Sequence, residues 1–550
     1  MIKRNKMIVS LALMLALLTA LTACSGKENK AEEGATDQAA TNNASKEENA
    51  FVFGETPLSF SFYGNYDWYT MYPWGEDMAT KWIQDNKQVT VKAIPSSGAA
   101  SQKFTTMLAS KKLPDVVWLD RGPDVEKLVK AGLVVPLDSY LEKYPNLVKY
   151  AGEETLNMLR SSDGKLYQFP NWYTNRPMGN GGYAVNIEIY KALGEPRLET
   201  FDDLYAYLKL VKEKYPDVIP YETGMTGQGM DMFYPGMADD HPMQNLAMRA
   251  VPQGDKLISL FTDPVYRETM KYTSKLFREK LITQDALTQT RDQVKEKVNN
   301  GKVAVYSAYD TTGLLPTADG ILKEKNPNGG YQIIWPVHKE GVDPNKVWVN
   351  QYDSIGWNVS LITTSAKNPE GIFAYLDWLT SPEGERVIFW GPEGHYWEGT
   401  DENGAPLYTD KFIEEKDERT KNMAIWDTFQ WAGNTSFIDT SKAVNEMKLA
   451  EDKRSWDTVA QTSVTWKTSF NATQFAGIEP IQESDEGVIA QQIGQIADQA
   501  RAKVMFAKSD EEVDSILDKA EKDAQAAGYE KLLAYKTQIW QQNLKKMQGN

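Results

Sequence analysis

The chain has 550 residues, a formal charge of -16, 25% charged residues and a single cysteine. That acidity argues against nucleic acid and against adsorption on anionic lipid, and one cysteine excludes an internal disulfide framework. About 500 residues of mixed apolar and polar pattern are too many for one core, so two or three lobes are expected.

Lys3, Arg4 and Lys6 precede an apolar run from Met7 to Leu21, too short and too quickly followed by polar residues for a stable span. The run leads into Leu21-Thr22-Ala23-Cys24, which resembles the bacterial lipoprotein processing box. Residues 1–23 are therefore expected to be a signal peptide, and Cys24 a lipidation site. Residues 24–55 are almost free of apolar side chains before Phe51 and are expected to form a flexible tether.

From residue 56 the pattern alternates between strands and helices. Leu58 to Tyr63 (LSFSFY) has period two and breaks into the polar aromatic loop Gly64 to Tyr69; a helix over Gly75 to Asn86 and a strand over Val89 to Ile94 follow. Phe104, Met107 and Leu108 share one helical face, Leu113 to Leu119 reads as a buried strand, and Asp124 to Ala131 as a helix stopped by Gly132. Such alternation predicts an α/β lobe with parallel strands. Gly182 to Asn186, Lys302 to Tyr306 and Gly356 to Thr363 repeat the strand pattern. Thr200 and Asp203 form a weak capping box for a helix through Tyr215, with Phe201, Leu204, Leu208 and Val211 on its apolar face. Asn368-Pro369-Glu370 opens another helix through Leu379. Glu486 to Met547 is nearly all helical, with a start at Ser509 and a break at Gly528.

Several of these segments resemble the family 1 extracellular solute-binding lipoproteins of ABC importers, in the long branch that takes up oligosaccharides. They are Leu113-Pro114-Asp115-Val116-Val117, Gly132 to Leu141 (GLVVPLDSYL), Asp163 to Pro170 (DGKLYQFP), Thr200 to Leu204 (TFDDL), and Asn368 to Leu379. Five in the family's order, over roughly residues 57 to 400, are more specific than any one. The resemblance implies a two-lobe periplasmic-binding-protein-like α/β fold with a hinge, an interlobe cleft and a helical C-terminal tail. The lobe limits expected are 56–175 plus 353–435, and 176–352 plus 436–550. It implies a carbohydrate ligand and ABC permease subunits as partners, with a monomer attached to the outer face of the membrane through its lipid alone. Some long relatives carry an Asp-rich calcium loop after the helix beginning at Thr200. Lys212 to Pro220 lacks alternating oxygen ligands here, and Asp401 to Gly404 reads as a hairpin turn, so no metal and no cofactor is expected.

Ligands of open α/β sheets bind beyond the carboxyl ends of strands. That rule selects Tyr66, Asp67 and Trp68; Asp120 and Arg121; Trp172 and Tyr173; and Tyr309 and Asp310 as candidate ligand-binding residues, with Asp231, Trp335, Tyr352, Trp357 and Trp397 behind them. Rings stack on the apolar faces of sugars while carboxylates and amides engage hydroxyls, although each ring also fits a packing role. Arg121 has a second reading, as the clamp for a uronate carboxylate. A peptide, another solute or a sensor kinase could be served by the same scaffold. A surface carbohydrate-degrading enzyme is the competing class, but only three histidines exist and no His-Glu-x-x-His, Gly-x-Ser-x-Gly or Gly-Lys-Ser/Thr motif is present, so no catalytic residue is expected.

Overall fold

The computed structural model describes residues 51–482 and 484–549. The segment expected to be a leader, Cys24, and the expected tether as far as Ala50 lie outside the described residues. No helix among the described residues is long and apolar enough to cross a membrane.

Two sheets organise the chain. The first has the strand order Val89–Ala93, Leu58–Gly64, Val116–Asp120, Asn358–Ile362, Gln168–Asn171. Its first three strands are parallel, as the strand–helix alternation predicts. Asn358–Ile362 runs antiparallel to both of its neighbours, so the sheet is mixed. Leu58, Phe60 and Phe62 point into one core, where Phe62 stacks on Trp431. The helix Pro369–Leu379 packs into the same core, and its residues from Gly371 onward are all buried. Asn368 caps that helix by accepting from Gly371 N, and Pro369 at the first position loses no hydrogen bond there. The early helix starts at Met78 rather than Gly75, because the Asp77 carboxylate accepts from Ala79 N and Thr80 N.

The second sheet has the order Tyr331–Ile334, Gly182–Asn186, Val303–Ala308, Ile219–Glu222. Gly182–Asn186 is antiparallel to both of its partners, and Ile219–Glu222 is parallel to Val303–Ala308. Helix Phe201–Lys214 covers this sheet, with both halves of the Thr200/Asp203 capping box formed and Phe201, Leu204, Leu208 and Val211 buried. Helices Asp485–Met505, Asp510–Ala526 and Tyr529–Met547 build a further core with the hairpin Ala250–Gln253/Lys256–Ser259.

The chain passes between the sheets through residues 172–181, 350–357 and a returning segment that ends in the short strand Ser469–Asn471. That strand pairs in parallel with Asn350–Tyr352. Asn350 ties the crossings together: its Oδ1 accepts from Gly181 N at 2.7 Å and its Nδ2 donates to Gly181 O at 3.0 Å. A Cβ on Gly179 would stand 2.6 Å from the Asn350 side chain, so glycine permits this approach. The Asp401–Gly404 stretch forms the turn of the hairpin Trp397–Thr400/Pro406–Tyr408, with the Asp401 carboxylate accepting from Asn403 N and Ala405 N.

Candidate functional site

A cavity of about 970 Å³ lies where the crossing segments meet the ends of both sheets. One wall holds Trp172, Gly356, Trp357 and Thr435; the strand Asn350–Tyr352 and Asp353 form its back; Asp231 and Tyr309 face in from the second sheet's side. Asp498 and Arg501, on the C-terminal helix Asp485–Met505, and Arg249 close the far end. This volume is at the upper end of the ~300–1,000 Å³ typical of ligand sites. As the strand-end rule requires, Trp172 directly follows the strand Gln168–Asn171, and Tyr309 follows Val303–Ala308.

Of the residues selected from sequence, Trp172, Tyr309, Tyr352 and Trp357 line this cavity, as does Asp231. Trp172 is held in an unusual way. Its backbone is left-handed at φ +59°, uncommon for a bulky side chain. Gly356, at φ +67°, lies so close behind it that a Cβ would stand 2.0 Å from Asn171 O; a Cβ on Gly433 would meet the indole at 3.2 Å. Asn171 is buried and anchors the turn by donating to Asn358 Oδ1 at 3.0 Å and to Gln430 O at 2.9 Å. Gly433 thus leaves room for the indole and Gly356 for the backbone that carries it, and the ring is aimed by its own strained residue, the kind of strain that clusters at ligand sites.

Tyr66, Trp68 and Asp120 form an adjoining surface. The Tyr66 ring stacks on Trp68 at 5.0 Å and lies 5.6 Å from Trp357, while its hydroxyl donates to Asp120 at 2.8 Å. Trp68 is 66% exposed and Trp357 46%, so the aromatic wall continues past the cavity into solvent. Arg121 is engaged: its Nη2 pairs with Asp353 at 3.3 Å. Burial lowers the Arg121 guanidinium and raises the Asp353 carboxyl, each charge partly offsetting the other's desolvation.

Five of the selected residues stand away from the cavity. The Asp67 carboxylate accepts from Ala100 N at 2.7 Å and so serves the first turn of helix Ala100–Ser110. Tyr173 is fully buried, its hydroxyl 2.6 Å from Thr380 Oγ1. Asp310 accepts from Gly313 N and pairs with Arg291 at 3.6 Å beside a separate small hollow. Trp335 donates to Pro344 O at 3.0 Å on an outer loop, and the buried Trp397 donates to Gly391 O at 2.8 Å.

Sequence reasoning missed the far end altogether. Arg501 pairs with Asp231 at 2.9 Å and donates to Thr226 O and Gly227 O at 3.0 and 2.6 Å. The Tyr309 hydroxyl donates to the other Asp231 oxygen at 2.6 Å; burial, with Asp231 beside it, pushes that hydroxyl up, so it remains a donor. Burial pushes the Asp231 carboxyl up while Arg501 opposes it. Trp466 also lines the cavity, with the Arg176 guanidinium 4.1 Å from its ring centroid. What assembles is a set of aromatic faces and fixed polar groups suited to binding a neutral or weakly charged solute.

The chain resembles known proteins in the same sense. Lipoprotein LipO of Bacillus subtilis (strain 168) is 28% identical over 233 residues, which is 40% of this chain and 43% of that protein. The polygalacturonan/rhamnogalacturonan-binding protein YtcQ of the same organism is 24% identical over 360 residues, 63% of this chain and 68% of that protein. The chain thus matches less than half of LipO's length. Among solved structures, an "HMO binding" ABC-transporter associated solute-binding protein of Bifidobacterium longum infantis superposes with a TM-score of 0.62 at 18% identity, covering 88% of this chain and 99% of that one. At that identity the likeness speaks for the fold, two lobes about a cleft. The family model described as bacterial extracellular solute-binding protein matches residues 69–386, more than half of the chain, and the chain belongs to that family.

Proposed function

We propose that this protein captures an oligosaccharide outside the cell and delivers it to the permease subunits of an ABC importer. The carrying observation is the cavity's composition. Trp172, Trp357, Tyr309 and Tyr352 offer ring faces, and Asn180, Gln351, Asp439, Gln461 and Asp498 offer planar polar groups around one space larger than a single sugar ring needs. The carbohydrate-binding relatives named above support the reading. The lobes comprise about 56–175 plus 353–435 and 176–352 plus 436–550, and they close about the crossing segments, because only the closed state touches ligand from both sides. The mature chain acts as a monomer held at the membrane by lipid on Cys24.

The test is a thermal-shift screen of residues 51–550 against neutral glycans, uronic-acid oligomers, monosaccharides and short peptides. A ligand at 100 times its Kd adds about 2.7 kcal/mol to stability. A shift with one oligosaccharide class, without its breakdown, is the expected result. A shift with peptides alone would overturn the carbohydrate reading, and release of shortened glycan would restore the enzyme class. Loss of palmitate labelling in Cys24→Ala cells, with the protein released to the medium, tests the anchor.

A further inference from the structure

We infer that the cavity selects neutral oligosaccharides and rejects acidic ones, an inference that rests on the carbohydrate reading above and narrows it. Four aspartates line the space, Asp231, Asp353, Asp439 and Asp498, against two arginines, Arg249 and Arg501. Arg176 and Lys442 act on Asp439 from outside the lining, Arg176 being stacked on the Trp466 ring, and two further arginines are held by carboxylates. Arg501 is held by Asp231 and by two backbone carbonyls. Arg121, behind the wall, is held by Asp353. Among the lining cations the Arg249 guanidinium alone makes no hydrogen bond or ion pair with a described residue, although its backbone carbonyl accepts from the Tyr529 hydroxyl. Its guanidinium lies against the helix Asp485–Met505 at Gly494, where a Cβ would stand 3.4 Å from Nη2. Asp498 is one turn further along that helix on the same face. A ligand carboxylate that reached Arg249 would therefore come up beside Asp498.

The remaining carboxylates are free to act on the ligand. The Asp439 and Asp498 carboxylates accept no hydrogen bond and form no close ion pair with a described residue, and both line the cavity. Lys442 and Arg176 act on Asp439, and Arg501 on Asp498, only at longer range. Carboxylates are acceptors only, so they bind hydroxyl donors well and repel a uronate. A like charge set opposite another at a desolvated interface is strongly disfavoured. Arg121 consequently does not serve as a uronate clamp, and this cavity differs in chemistry from what the name of its polygalacturonan-binding relative would suggest.

The experiment uses matched ligands and residues 51–550 at pH 7. Calorimetry compares the tightest neutral oligosaccharide from the screen with the same oligosaccharide oxidised at C6 to the uronate, and oligogalacturonate with its methyl ester. The neutral member of each pair is expected to bind at least about tenfold tighter. The D439N/D498N protein is expected to bring the first ratio close to one, with each single variant between. Equal or tighter binding of the uronate member overturns the inference and leaves oligosaccharide capture standing. An unchanged ratio in the double variant overturns the assignment to these two aspartates. No binding of any sugar removes the proposed function itself, and this inference with it.

Discussion

Replacing Trp172 tests whether the cavity wall is a binding surface or a packing accident. The ring lines the cavity and also packs at its edge against the cluster of Phe389, Trp390, Trp397 and Ile438. Trp172→Ala removes a stacking face, for which a loss of about 1–3 kcal/mol in binding is expected, roughly 5- to 150-fold in Kd. It also removes part of that packing, about 1–2 kcal/mol of folding stability. The backbone at φ +59° separates the two effects. A left-handed residue with a Cβ costs about 1–2 kcal/mol that glycine does not incur. Trp172→Gly should therefore be about 1 kcal/mol more stable than Trp172→Ala, while losing the same binding affinity. Calorimetric titration with the oligosaccharide gives the first quantity and thermal unfolding without ligand gives the second. Affinity within twofold of the parent in both variants would refute the role of the ring. A glycine variant less stable than the alanine one would refute the account of how it is held.

Three further outcomes are expected. Glu385 is fully buried, its carboxylate accepting from Asn434 N at 2.5 Å, and burial pushes its carboxyl from 4.5 up to about 8. Between those values the folded state keeps a proton that the unfolded state has lost, so stability falls as pH rises, by about 1.4 kcal/mol per unit, and the full cost is reached above pH 8. Glu385→Gln should remove this dependence, its thermal midpoint gaining on the parent's from pH 5.5 to 8.5; a gap that does not change with pH would count against the account. Gly356→Ala places a Cβ 2.0 Å from Asn171 O at φ +67° and should cost more than about 2 kcal/mol in stability while weakening ligand binding, because it displaces Trp172 and the adjacent Trp357. Thr200→Ala should cost about 1 kcal/mol through the lost cap of helix Phe201–Lys214, without changing affinity; calorimetric titration and thermal unfolding of the same sample check both halves.

The elements were legible wherever a local rule decides them. Period two marks Leu58–Gly64, a helix N-terminus is written in Thr200 with Asp203 and in Asn368 with Pro369, and Gly132 ends its helix at φ +64°. Strand direction is not local. Asn358–Ile362 has the pattern of any buried strand, and only its arrival from the far sheet makes it antiparallel to Val116–Asp120. The site divides along the same line. Strand-end loops were identifiable, so Trp172 and Tyr309 were found. Their neighbours Tyr173 and Asp310 were selected with them, because adjacent residues in an irregular turn carry no period to say which side chain faces inward. Here a left-handed Trp172 turns one ring to the cavity, while Tyr173 reaches Thr380 in the core.

The far wall shows a different kind of limit. On the helix Asp485–Met505, Asp498 and Arg501 have the spacing of an ordinary solvated charge pair, and nothing near them in sequence reports a cavity. Their role exists only because that helix, almost 200 residues beyond Tyr309, is docked beside Asp231. A cavity made where three crossings meet draws Trp172 and Tyr309 from strand ends, which sequence can nominate, and Asp498 and Arg501 from a distant helix, which sequence cannot. Because those charges decide what the rings are allowed to hold, ligand class belongs to the tertiary structure, while the general capacity to bind a flat, hydroxylated solute is already present in the loops.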